Sequence, residues 1–306
     1  MAFVADRRSV LSGLTALGLA GCDRTPAQPA PPAPPAPHER RDTVLDLSEL
    51  ERQHGGRIGL AAEDMNRVSW RPDERFNYCS TFKLFLAAAT LERVQRDIES
   101  LDRVVPVTAA DMVSHAPVSE KAVGKTLTIE QLMQATVEVS DNPAANILIR
   151  ELGGLDAFRA WYRTIGDTTT NVDRLEPFMN RHDGDKDTAQ PRQIATNLGW
   201  ILNTYQPLGL MSQYVLLWNW LIQSPTGQGR IKAGVPDGWT VAHKTGTGGS
   251  GQTNDIGVIH PPTGEPIRIA VYYDAPASLA ETTRDAVIAQ ATRLALGALG
   301  RDGSAA

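Results

Sequence analysis

The sequence predicts an α+β body carrying an all-α insertion, and three observations carry that expectation. Strand-like runs stand at both ends of the body: Arg57–Glu63 near its start, and residues 239–245, 255–260 and 267–273 near its end, separated by Gly/Pro turns. Between them the apolar residues recur at helical spacing. A helical stretch from Ala277 to Leu299 then closes the chain. Strand, a block of helices, strands and a last helix is the order of an α+β fold with a helical insertion.

Taken in order, Arg57–Glu63 reads as a short strand, and Ser69-Trp70-Arg71-Pro72-Asp73 as the turn material after another. From Ser80 the pattern changes. Phe82, Leu84, Phe85, Leu86, Ala87, Ala88, Ala89, Leu91 and Val94 are too continuous for a surface helix and predict a buried one, with Ser80 at its N-terminal edge. Residues 128–139 form a helix with Leu132, Ala135 and Val139 on one stripe, stopping at Ser140-Asp141-Asn142-Pro143. Asn142 is expected to cap the next helix with Pro143 at its first position, and Gly153-Gly154 to close it. Residues 166–191 lack periodicity and predict a long ordered loop; Gln213–Ser224, rich in Trp and Leu, predicts a helix. No internal repeat occurs.

The chain has 306 residues, 42% of them hydrophobic, enough for one large domain or two modest ones. Thirty Lys and Arg against 35 Asp and Glu give a net charge of −5 without a basic tail, which argues against nucleic acid as a partner. Two cysteines, Cys22 and Cys79, are too few for a disulfide framework or a structural zinc site. The six histidines never fall in HxH or HExxH spacing, so neither a metal centre nor any other cofactor is expected.

The first forty residues read as an address and a tether. Arg7-Arg8 precedes the apolar stretch Val10–Ala20, whose helical rise of about 16 Å is roughly half a bilayer core. This is the pattern of a signal peptide over residues 1–21, and the paired arginines suggest the twin-arginine route. Leu19-Ala20-Gly21-Cys22 resembles the bacterial lipobox, which implies cleavage before Cys22 and acylation of that cysteine. Several acyl chains give stable attachment where one is marginal. Seven prolines between Pro26 and Pro37 favour an extended polyproline spacer, so residues 22–42 are expected to hold a body spanning 43–306 off a membrane.

The chemistry concentrates in three short motifs. Ser80-Thr81-Phe82-Lys83 places a hydroxyl and an amine three residues apart at a helix start, on one face. A serine hydroxyl becomes a good nucleophile only when a base takes its proton, and a desolvated lysine of lowered pKa can be that base. Exposed N–H groups at the same helix end could receive an oxyanion. Ser140-Asp141-Asn142 follows at a break between two helices, and Lys244-Thr245-Gly246 on a strand. Each motif alone has an ordinary explanation as a cap or a surface charge; all three in this order do not.

From about Thr43 to Gly300 the chain therefore resembles the class A serine β-lactamases, which share this triple with the penicillin-binding proteins. The resemblance implies a two-domain fold: an antiparallel sheet flanked by helices (about 43–75 and 222–306) and an all-α part (about 76–221). A fourth segment, Arg174-Leu175-Glu176-Pro177-Phe178-Met179-Asn180, resembles the family's Ω-loop motif and separates the chain from its penicillin-binding relatives. It places Glu176 and Asn180 around a water. The implied roles follow residue by residue. Ser80 attacks the β-lactam carbonyl, activated by Lys83, by Glu176 through water, or by both. The backbone N–H groups of Ser80 and Thr247 form the oxyanion hole, and Ser140 relays a proton to the leaving nitrogen. Lys244, Thr245, Gly246 and Thr247 line the site for the drug's carboxylate, Asn142 bonds its amide side chain, and Glu176 with Asn180 directs the deacylating water.

Several positions depart from the family's commoner pattern. Arg174 and Asp187 fit the ion pair that braces the Ω-loop, but the interval from Glu176 to Asp187 is about two residues shorter than usual, so the tip from Arg181 to Lys186 is expected to be unusual while the catalytic end survives. Thr253 stands where many members carry an arginine, and Arg230 matches an alternative source of that charge. His115 matches the aromatic gatekeeper beside the cleft. Cys79 precedes the nucleophile and, with Gly248 where one branch has a second cysteine, is expected to remain a reduced, buried thiol. The competing readings are a penicillin-binding peptidase or transpeptidase and a non-catalytic β-lactam-sensing domain; Glu176 and Asn180 argue against the first, and the complete set of catalytic residues against the second. The expected protein is thus an exported, lipid-anchored periplasmic monomer acting on β-lactams.

Overall fold

The computed structural model describes residues 40–205 and 211–303. The expected signal peptide, Cys22 and most of the proline-rich tether lie outside the described residues.

The body begins with β1 (Asp42–Val44), α1 (Ser48–His54), β2 (Arg57–Glu63), β3 (Arg67–Trp70) and β4 (Phe76–Asn77), and then enters the helical block. That block holds α2 (Phe82–Gln95), β5 (Val104–Pro106), β6 (Thr126–Thr128), α3 (Ile129–Glu138), α4 (Asn142–Leu152), α5 (Leu155–Thr164), β7 (Thr188–Ala189), α6 (Pro191–Tyr205) and α7 (Met211–Gln223). The short α8 (Ile231–Gly234), strands β8 (Thr240–Thr247), β9 (Gln252–His260) and β10 (Ile267–Asp274), and α9 (Glu281–Ala298) complete it. The α+β order expected from sequence is the one found.

Among the described residues the main sheet has six strands in the order β1-β3-β2-β10-β9-β8. It is antiparallel except for β1, which runs parallel to β3. The sheet is buried on both faces, and the period of two along β10 shows how. Ile267, Ile269, Val271 and Tyr273 join a core with α1, α8 and α9, whereas Ala270 and Tyr272 face the core of the helical block. Such a strand reads as one continuous apolar run, which is why β10 was legible. Helix α2 is the axis of the second core: Phe82 through Leu91 are all buried, so it carries Lys83 into the interior with it.

Some local expectations are corrected. Ser69 and Trp70 are strand residues, pairing with Ala61 and Leu60 on β2; the turn starts one residue later, at Arg71, whose φ is +44°. The cap of α4 is Asp141, not Asn142: the Asp141 carboxylate accepts the Ala144 N–H at 2.9 Å, and Asn142 is already the first helical residue. This frees the Asn142 side chain to point at the lysine of α2. The left-handed Gly153 closes the helix as expected, whereas Pro143 is its second residue and not its first. The reading passed over α1, α5 and α6, although α5 buries Phe158, Trp161 and Tyr162 at helical spacing.

The long loop after α5 is ordered by buried carboxylates rather than by regular structure. Asp167 accepts the N–H groups of Thr169 and Thr170 at 2.8 and 2.9 Å and the Asn197 amide at 2.7 Å. Asp187 accepts the N–H groups of Asp173 and Arg174 and pairs with the Arg174 guanidinium at 2.5 Å. Both acids are fully buried, so the backbone donors of the loop have partners without a ladder.

Asp141 has the same function at the next corner. Besides capping α4 it accepts the N–H groups of Val118 and Ser119 and the Ser119 hydroxyl. Replacing it by alanine strands these donors in the interior. Asp141→Ala is expected to lower unfolding stability by about 2–4 kcal/mol, read as a lower urea midpoint; an unchanged midpoint contradicts this account.

Candidate active site

Three segments meet where the helical block abuts the edge strand β8. Ser80 lies in a single 3₁₀ turn, Cys79–Thr81, leading into α2, and Lys83 follows on the first turn of that helix. Ser140 and Asn142 come from the break between α3 and α4, and Glu176 and Asn180 from the long loop.

Lys83 is the hub. Its Nζ is 3.1 Å from Ser80 Oγ, 3.2 Å from Ser140 Oγ, 2.7 Å from the Ser140 carbonyl and 2.5 Å from Asn142 Oδ1. It also pairs with Glu176 Oε1 at 3.0 Å, both side chains being wholly buried. Glu176 Oε1 lies 3.5 Å from Ser80 Oγ, and the other oxygen of Glu176 accepts the Asn180 amide. Burial pulls the Lys83 pKa below its ordinary value, while the charge and hydrogen bond of Glu176 resist that pull.

The backbone is bent to achieve this. Cys79, His115 and Ser140 have φ of +47°, +62° and +59°, a region that costs an L-residue roughly 1–2 kcal/mol each. The corners brace one another: the Asn142 N–H donates to the His115 carbonyl at 3.0 Å, and His115 Nε2 lies 2.9 Å from the Val139 carbonyl. The exposed His115 ring therefore has a fixed place at the mouth of the cleft.

Strand β8 supplies the opposite wall. A Cβ on Gly246 would come within 2.7 Å of the Tyr78 carbonyl and 3.1 Å of the Ser80 nitrogen, so this close approach of backbones requires glycine. It sets the Ser80 N–H beside the strand end that carries Thr247. Thr245, Thr247 and Arg230 line a cleft of about 450 Å³ together with Ser80, Ser140, Asn142, Asn180 and His115. Arg230 is 3% exposed; it donates to Thr247 Oγ1 at 2.9 Å and to the Gly246 and Asn254 carbonyls, and pairs with Asp285 at 2.7 Å. Thr253, opposite Thr247 on β9, is buried, so the cationic group at this end of the cleft is Arg230. Lys244 is fully buried behind the wall, its ammonium 3.1 Å from the Thr245 carbonyl. Desolvation, and then the charge of Lys83, push its pKa well below the ordinary lysine value.

Arg174 and Asp187 form the expected brace, and the shortened tip closes on itself: Arg174 Nη2 donates to the Arg181 carbonyl at 2.6 Å and Asn171 to the Asp185 carbonyl at 2.7 Å. Cys79 is free and buried; desolvation raises its pKa well above the usual thiol value, and it donates to Asn77 Oδ1 at 3.1 Å. The reading of the sequence missed Asn146, whose side chain grips the Glu176 backbone from both sides, accepting its N–H at 2.9 Å and donating to its carbonyl at 3.0 Å. The signal was its spacing of four from Asn142 on the same helix face. Thr226, 2.9 Å from Thr245 Oγ1, and Asp285 were missed as well and carry no motif.

A helix-borne serine, an amine one turn on, a buried carboxylate touching both and a cationic cleft end define a serine acyl-transfer enzyme. The family model "Beta-lactamase enzyme family" matches residues 43–299. The chain is 40% identical over 232 residues to β-lactamase ROB-1 of Haemophilus influenzae, covering 74% of each chain. It is 39% identical over 291 residues to β-lactamase Toho-1 of Escherichia coli, covering 93% of this chain and 96% of that one. Among solved structures it is similar to an ancestral class A β-lactamase (GNCA), with a TM-score of 0.76 at 43% identity over 82% of this chain and 98% of that one. A class A β-lactamase from Mycobacterium abscessus gives a TM-score of 0.77 at 41% identity over 83% and 98%. The chain belongs to the class A serine β-lactamases, enzymes that hydrolyse the β-lactam ring.

The coupling of Lys83 to Glu176 has a measurable sign. Glu176→Gln removes the charge that does most to hold the Lys83 pKa up, leaving desolvation opposed chiefly by the more weakly acting Asp141. The amine should then titrate at lower pH than in the unaltered enzyme, as followed by the NMR shifts of ¹³C-labelled lysine. Movement to higher pH would contradict the pairing.

Proposed function

We propose that the ring is opened and released in two steps with the following division of labour. Ser80 Oγ attacks the β-lactam carbonyl while its proton passes to Lys83, or through a water to Glu176. The Ser80 and Thr247 N–H groups receive the oxyanion, and the C–N bond breaks as Ser140 passes a proton to the ring nitrogen. A water held by Glu176 and Asn180 then loses its proton to Glu176 and attacks the ester, and the Ser80 oxygen leaves, taking a proton back. Thr245, Thr247 and Arg230 bind the drug's carboxylate in front of Lys244, whose ammonium is stabilised by that anion. Asn142 holds the amide side chain, Gly246 gives the strand its close approach, and His115 offers a flat face at the cleft mouth.

One observation carries the reading: a carboxylate 2% exposed, 3.5 Å from the nucleophile and in contact with its lysine. Without such a base the acyl-enzyme persists and the drug is an inhibitor; with it the drug is a substrate. Asn146, Arg174 and Asp187 act one step back, by keeping Glu176 in place.

The same proposal covers the address. Residues 1–21 direct export by the twin-arginine route, Cys22 becomes the acylated first residue, and 22–42 tether a monomeric body over 43–306 in the periplasm. The Leu19-Ala20-Gly21-Cys22 sequence followed at once by a proline-rich run supports this.

Glu176→Ala should acylate and then stall, its mass by intact-protein spectrometry increased by that of one drug molecule; turnover equal to the unaltered enzyme would remove Glu176 from deacylation. Lys83→Ala should slow acylation by about 10²–10⁴-fold in single-turnover kinetics. For the anchor, Cys22→Ser should move the protein from the membrane to the soluble fraction, and unchanged partition would reject acylation.

A further inference from the structure

Two fully buried polar residues take no part in the chemistry described so far. His243 stands on β8 just before Lys244, and Asp255 lies nearby on β9. His243 Nδ1 is 2.9 and 2.8 Å from the two carboxylate oxygens of Asp255. One of those oxygens also accepts the Ile231 N–H at 3.1 Å. Ile231 opens α8 and is joined by its peptide bond to Arg230, so a single carboxylate ties the strand pair to the residue whose guanidinium lines the cleft.

The histidine supports the same loop from below. A Cβ on Gly227 would lie 3.3 Å from His243 Cε1 and 2.3 Å from Thr245 Cγ2, so the segment leading to Arg230 rests directly on this face of β8. Thr226 Oγ1 adds a hydrogen bond of 2.9 Å to Thr245 on that face. The other ring nitrogen of His243, Nε2, is buried without a hydrogen-bond partner, so the ring is oriented through its Nδ1 alone. Losing that contact would leave the buried Asp255 carboxylate with the Ile231 N–H alone of these two donors, and free to turn from it.

We propose that His243 and Asp255 are positioning residues for the substrate carboxylate, acting through Arg230. This rests on the reading of Arg230 as a carboxylate ligand. Its guanidinium is aimed by three acceptors, Thr247 Oγ1, the Gly246 carbonyl and the Asn254 carbonyl, at 2.9 to 3.1 Å. Such a group loses its aim when the backbone behind it shifts by a fraction of an ångström, and binding weakens while the Ser80–Lys83–Glu176 chemistry is untouched.

The test is steady-state kinetics of the full chain on a penicillin, with four single variants and two doubles. Arg230→Ala should raise KM by about tenfold or more, as loss of a charge-assisted bond does. His243→Leu should raise KM about three- to tenfold with kcat held, the signature of lost uniform binding. His243→Asn, whose amide can donate in place of Nδ1–H, should recover most of that loss. In the Arg230→Ala background His243→Leu should change KM no further. Asp255→Leu, which removes the acceptor for both His243 and Ile231, should show the same dependence on Arg230 and serves if His243→Leu does not fold. An unchanged KM in His243→Leu and Asp255→Leu, or an equal factor with and without Arg230, overturns the proposal. If Arg230→Ala alone leaves KM unchanged, the carboxylate reading itself fails and the proposal falls with it.

Discussion

The site is organised around one contact, the fully buried pair of Lys83 and Glu176 at 3.0 Å. Taking an amine and a carboxylate out of water is costly, and their mutual attraction repays it only when geometry and further hydrogen bonds are good. Here each partner has them: two serines and an asparagine surround the amine, and Asn180 reaches the carboxylate. Without those further contacts the pair would not offset its own desolvation. It also joins two parts of the chain that differ in kind, a rigid core helix and a loop without regular structure.

That junction explains why so much polar material surrounds the loop. A carboxylate that wandered would leave Lys83 as an uncompensated interior charge. Asn146 fixes the Glu176 backbone, Arg174 and Asp187 fix the loop's neck, and Asn77 donates to the carbonyls of Met179 and Asp187. The exposed tip, from Arg181 to Lys186, meets the neck through the Arg181 and Asp185 carbonyls, which accept from Arg174 and Asn171. The restraints on Glu176 itself lie at the neck and on α4.

The legible parts of the sequence were those in which one physical requirement fixes both residue type and spacing. An amine that must reach a hydroxyl across one helical turn has to lie three or four residues away, so Ser80 and Lys83 could be seen from the sequence alone. Strands buried on both faces read as apolar runs, and β10 and residues 256–259 of β9 stood out for that reason, whereas the buried polar residues 252–254 did not. Asn146 carried no signal beyond its spacing from Asn142, and Thr226 and Asp285 carried none, because the partners that explain them, Glu176, Thr245 and Arg230, lie 30, 19 and 55 residues away. Asp141 was misjudged against Asn142 because either residue type can cap a helix; the choice was made by Val118 and Ser119, which need a carboxylate and are distant in sequence.

The carboxylate end of the cleft shows the same division between what a motif records and what the fold adds. Lys244, Thr245 and Gly246 are recognisable as a string, yet Lys244 is buried with its pKa pushed down, and the wall of the cleft is made by its neighbours. Desolvation opposes the charged form of this lysine, so an anion placed beside it would favour protonation. Arg230 supplies a permanent charge in the meantime, already partly balanced by Asp285. Its guanidinium is held by carbonyls of β8 and β9, and its backbone by α8, so the charge that Thr253 cannot provide is delivered from a different element to the same place. At this end of the cleft the positive charge of Arg230 is set by backbone carbonyls of two paired strands, which are rigid enough to aim it.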